Sequence, residues 1–94
     1  MNECPAHTKR MVTFTVEADP GSKVYVGGTF NDWDYLKSPL TEGPDQGLFM
    51  VVCMVEPGMH EYKFHINGNW VLDRRNPRFS QNTFGSLNNQ LEVR

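Results

Sequence analysis

The sequence predicts an all-β domain, a sandwich of six to eight short antiparallel strands of immunoglobulin-like size. Three observations carry that reading. Residues 10–18, RMVTFTVEA, and 60–66, HEYKFHI, alternate apolar with polar side chains, which is the period of a half-buried strand. Turn signals built on Pro, Gly, Asn and Asp separate these runs at short intervals. No stretch shows the longer period of an amphipathic helix.

Taken in order, residues 1–9 are polar, contain one proline, and are expected to form a loose tail ahead of a single domain over 10–94. Strand one, 10–18, turns Val12, Phe14, Val16 and Ala18 to one side. Asp19-Pro20-Gly21-Ser22 makes a turn. Strand two, 23–28, points Val24 and Val26 inward, and Gly27-Gly28 marks a bulge or a close backbone approach. A long connection, TFNDWDYLKSPLTEGPDQG, follows; loops of this length are uncommon in small domains unless they have a task. Phe30 and Leu40 read as plugs for the end of the core. Strand three, 48–55, has Phe49, Val51, Cys53 and Val55 as its core set. Leu48, Met50, Val52 and Met54 occupy its other face, which is therefore expected to be partly covered.

The next stretch, 60–73, reads as a hairpin. Asn67-Gly68 tolerates positive φ at both central positions of a type I′ turn. A two-residue turn sets Ile66 opposite Asn69, His65 opposite Trp70 and Phe64 opposite Val71. Phe64, Ile66 and Val71 then share the core side, and Lys63, His65 and Trp70 the outer side. A second irregular run leads to a last strand at 90–94 with Leu91 and Val93 inward.

Length and composition narrow the function classes. Ninety-four residues make one domain with one core and no room for a deep catalytic cleft. The net charge of −2 lacks the basic footprint of a nucleic-acid binder, and Arg74, Arg75 and Arg78 read as solvated surface. Cys4 and Cys53 do not make a disulfide framework. No apolar segment follows Met1 and no run is long enough to span a bilayer, so the expected compartment is cytoplasmic. Metal and cofactor chemistry find no support: His60 and His65 fall on opposite faces of one strand, and no Cys-x-x-Cys or His-x-His pair occurs. No Gly-x-Ser-x-Gly occurs either. Asp32 and Asp34, with Glu42 and Asp45 nearby, read as solvated turn residues, because a glycosidase needs two opposed carboxyls, one of raised pKa.

What remains is an aromatic surface. A pyranose ring presents a face of C–H groups and an equator of hydroxyls, so it is recognised by an exposed flat ring flanked by polar groups. Trp70 on the strand face and Trp33 in the loop offer two rings, and Lys63, His65, Asn69, Asn88 and Asn89 offer hydrogen bonds. Two core tryptophans would satisfy the same pattern.

The runs GGTFNDWD, GMHEYKFHINGNWVLD and FGSLNNQLEV, in that order and with similar gaps over roughly residues 12–94, resemble a family 48 carbohydrate-binding module. That family includes the glycogen-binding domain of the AMP-activated protein kinase beta subunit. The resemblance implies an early-set sandwich, without catalytic activity, that binds an α-1,4-linked glucan: glycogen, starch or a maltooligosaccharide. It assigns sugar stacking to Trp33 and Trp70, hydroxyl contacts to Lys63, Ser86 and Asn88, and insertion into the curve of the glucan to Phe84, where the kinase subunits have leucine. His65, Asn69 and Asn89 are further candidates. The chain departs from the family at Asp73-Arg74, where Asp-Pro is usual, which leaves the path of residues 74–82 open. The alternative is a sandwich that has lost sugar binding and docks a kinase or a glucan-metabolising enzyme.

Overall fold

The computed structural model describes residues 8–81 and 85–94. Eight strands form two antiparallel sheets that pack as a sandwich. They are β1 (Arg10–Glu17), β2 (Val24–Gly28), β3 (Thr41–Glu42), β4 (Leu48–Val55), β5 (Gly58–Ile66), β6 (Asn69–Val71), β7 (Phe79–Gln81) and β8 (Leu87–Val93). One sheet has the order β1-β4-β3 and the other β2-β5-β8-β7, with β6 also paired to β5. Strand four pairs with strand one along its whole length, from Arg10 opposite Val55 to Glu17 opposite Leu48. Strand β5 is the spine of the second sheet, holding β2 on one edge and β6 and β8 on the other.

The core lies where the alternating residues predict. Phe14, Val24, Val26, Leu40, Phe49, Tyr62 and Phe64 are buried together, and Phe30 and Ile66 pack against them. Phe14 stacks on Phe30 at 5.2 Å and meets Tyr62 edge-on at 5.1 Å. Cys53 is a free thiol on the inner row of β4, and partial burial pushes its pKa up.

The strand boundaries need correction. The last strand begins at Leu87 rather than at residue 90, and β3 and β7 were read as irregular; at two and three residues they are too short to show a period. The outer face of β4 is only partly covered: Met50, Val52 and Met54 are about half exposed and Met11 beside them more so. Glu42 is not a free turn carboxylate: Oε1 accepts from the Gly21 amide at 3.0 Å and Oε2 from the Gly47 amide at 2.7 Å. Those two donors hold its pKa below the ordinary value.

The stretch after Asp73, whose missing proline left its path open, is held by a polar node between β5 and β8. Asn89 is fully buried. Its Oδ1 accepts from the Asp73 amide at 2.7 Å, and its Nδ2 donates to the carbonyls of Asp73 and Asn76, each at 3.1 Å. The Tyr62 hydroxyl donates to Asp73 Oδ2 at 2.8 Å and accepts from Asn76 Nδ2 at 3.1 Å. Burial raises the Tyr62 pKa above the ordinary tyrosine range. Hydrogen bonds therefore fix this stretch without a proline after Asp73. Removing the buried amide strands three backbone groups at once, so Asn89→Ala should lower the unfolding free energy by about 2–4 kcal/mol in urea titration.

Candidate carbohydrate-binding site

The Asn67-Gly68 turn has the expected geometry, with φ of +49° and +89°, so the predicted register holds: Ile66 opposite Asn69, His65 opposite Trp70, Phe64 opposite Val71. That register puts Trp70 on the outer face. The adjoining pairs, Tyr25 opposite His65 and Gly27 opposite Lys63, extend the same face across β2. Trp70 is 43% exposed. Its ring reaches over β5 to the place where β2 has no side chain. A β-carbon built on Gly27 would lie 2.7 Å from Cη2 of Trp70, inside van der Waals contact.

Trp33 comes to the same place from the long connection. Asn31 anchors that loop from a buried position. Its Oδ1 accepts from the Gly28 amide at 2.9 Å, and its Nδ2 donates to the Val26 carbonyl and to Ser38 Oγ, each at 3.1 Å. Asp32 and Trp33 then take left-handed conformations, with φ of +57° and +60°. Two successive non-glycine residues there cost roughly 1–2 kcal/mol each. The strain turns the half-buried Trp33 ring to within 6.0 Å of Trp70, and the Trp33 amide closes the turn on the Gly28 carbonyl at 2.8 Å. The two indoles meet at 74°, edge to face, so they form the sides of an angle and not a flat shelf.

Further rings complete the cluster. Tyr35, at the start of a 3₁₀ turn capped by Asp34, stacks on His65 at 3.7 Å and 12° and meets Trp70 edge-on at 5.6 Å and 90°. Tyr25 packs against Tyr35 at 5.3 Å. Neither tyrosine was legible as a site residue. Tyr25 follows from the register of β2, whereas Tyr35 sits in a loop that has no period to read.

The polar candidates separate. Lys63 lies on the Trp70 face, one step along β5, and makes no hydrogen bond or ion pair among the described residues. Asn88 shares that face but is only 6% exposed, and its Nδ2 donates to Glu61 Oε1 at 2.8 Å. Ser86 is exposed, one residue before β8. Phe84 lies outside the described residues. Three further candidates are placed as follows. Asn89 is buried in the node described above. Asn69, opposite Ile66, is on the other face of the sheet from Trp70. His65 is 9% exposed beneath Tyr35, and its Nδ1 is buried without a hydrogen-bond partner among the described residues. Among the described residues no group of His, Cys, Asp and Glu can hold a metal ion, and no helix is long and apolar enough to cross a membrane.

The fold is a β-sandwich with aromatic rings gathered on one sheet face. Residues 11–94 match the family described as the glycogen recognition site of AMP-activated protein kinase. The chain belongs to that family of non-catalytic domains. It is 35% identical over 74 residues to the beta-1 subunit of 5'-AMP-activated protein kinase of Rattus norvegicus, covering 79% of this chain and 26% of that one. It is 34% identical over 74 residues to the Sus scrofa beta-1 subunit, covering 79% and 57%. It is 31% identical over 77 residues to the Mus musculus beta-2 subunit, covering 82% and 27%. The chain thus spans about a quarter of the rat and mouse subunits.

The contact between Gly27 and Trp70 can be tested without any ligand. Gly27→Ala should push the indole aside, because the far end of an exposed ring moves more readily than a paired strand. The near-UV circular dichroism of tryptophan should change, while stability falls by less than the about 1–3 kcal/mol of overpacking a closed core.

Proposed function

We propose that this domain binds an α-1,4-linked glucan, glycogen above all, on the face that carries Trp33 and Trp70. The observation that carries the reading is the inclined pair of indoles. Successive glucose units of an α-1,4 chain turn relative to one another, so a coiled chain presents its sugar faces at changing angles. Two rings at 74° suit such a chain better than they suit a flat ribbon. Stacking one sugar face buries about 80 Å² of apolar surface, or about 2 kcal/mol at ~25 cal/mol/Å². Two platforms and a few hydrogen bonds at about 1 kcal/mol each, less the cost of association, give a dissociation constant of roughly 10 µM to 1 mM.

Lys63 is the foremost polar group. Its charged amine lies on the ring face without an intramolecular partner among the described residues, ready to donate to sugar hydroxyls. Ser86 is a second candidate. Asn88 contributes chiefly by orienting Glu61.

A second role is favoured by the opposite side of the sandwich. Met11, Met50, Val52 and Met54 form an exposed apolar row across β1 and β4. Such a row suits docking to a protein, a kinase or a glucan-metabolising enzyme, and it leaves the ring face open.

Trp70→Ala should remove retardation in glycogen affinity electrophoresis while the fold persists by circular dichroism; unchanged retardation of the folded variant would refute the site. Lys63→Ala should weaken maltoheptaose binding by about 1.5–3 kcal/mol in isothermal titration, the usual worth of a hydrogen bond from a charged group.

A further inference from the structure

Trp70 stands on a three-residue strand that, among the described residues, pairs only with β5, and nearly half of it is exposed. A side chain so placed has rotamer freedom that a ligand must remove on binding. Three rings crowd it edge-on: His65 at 5.0 Å, Tyr35 at 5.6 Å and Trp33 at 6.0 Å. His65 reaches that position by strand register, and Trp33 belongs to the glucan site itself. Tyr35 is different. Its 3₁₀ turn, Tyr35–Lys37, contributes no buried residue, and its neighbour Leu36 is largely exposed, so the turn does not fill the core. Of its three residues, Tyr35 is the one that carries a ring into the cluster.

The packing beneath Tyr35 is specific as well. His65 lies parallel to it at 3.7 Å, with Nδ1 buried and without a partner among the described residues. Burying a nitrogen in that way is unfavourable, but it lays a flat ring beneath Tyr35. Stacked together, the two make a wall perpendicular to the Trp70 ring.

We propose that Tyr35 is a positioning residue for glucan recognition: backed by His65, it fixes the Trp70 indole in the orientation a sugar face requires. The proposal rests on the glucan reading above for its effect on affinity, and on the ring geometry alone for its effect on Trp70. Immobilising one large side chain in advance corresponds to about a three- to tenfold gain in affinity.

The test uses the whole chain with Tyr35→Leu, which keeps bulk but removes the flat ring, and Tyr35→Phe, which keeps the ring. Tyr35→Leu should change the near-UV dichroism of tryptophan and weaken maltoheptaose binding about three- to tenfold. Tyr35→Phe should match the parent chain in both. Should Tyr35→Leu fail to fold, His65→Leu removes the other half of the stack and should give the same two changes. A folded leucine variant with unaltered dichroism and affinity overturns the proposal. So does a phenylalanine variant as impaired as the leucine one, since the hydroxyl and not the ring would then be at work. If the parent chain binds no glucan, the glucan reading falls, and the dichroism comparison still decides whether Tyr35 sets Trp70.

Discussion

A large ring can lie across a β-sheet only where a neighbouring strand leaves the space empty. Trp70 has that space because Gly27 carries no side chain. Much else in the domain serves that contact. The Asn67-Gly68 turn sets the register that puts Trp70 on the outer face, and β5 carries both the glycine-bearing strand and the tryptophan-bearing strand on opposite edges. The core beneath, built on Val26, Tyr62 and Phe64, keeps those strands at fixed spacing.

The second indole is held by different means. A loop would ordinarily let Trp33 wander. Here a buried asparagine ties the loop to β2, and the backbone of 38–40 returns along that strand, with Val26 donating to the Ser38 carbonyl and Leu40 to that of Val24. These bonds offset the strain of two left-handed residues. Strain of this kind persists only where the surroundings over-determine it, and it gathers at functional sites.

The strands and the ring face were legible because both follow from period and register. Val26, Phe64 and Trp70 could be assigned to sides by counting. The same counting places Asn69 opposite Ile66, away from Trp70, so proximity in sequence was a poor guide to it. The surroundings of His65 and Asn89 depend on more than register. A polar side chain on paper looks available, but burial and bonding are set by neighbours distant in sequence: Tyr35 for His65, Asp73 and Asn76 for Asn89. Tyr35 itself gave no signal, since a loop residue's partner depends on the path of the loop. The two short strands were missed because two or three residues cannot display a period.

One consequence reaches beyond the site. Surface loops commonly absorb insertions and deletions. The two-residue link at Asn67-Gly68 is exposed, yet it has no such freedom. Adding or deleting one residue there shifts β6 by a single step, sending Trp70 toward the interior and Val71 toward solvent. In this domain the length of an exposed bend is therefore as constrained as the identity of a core side chain.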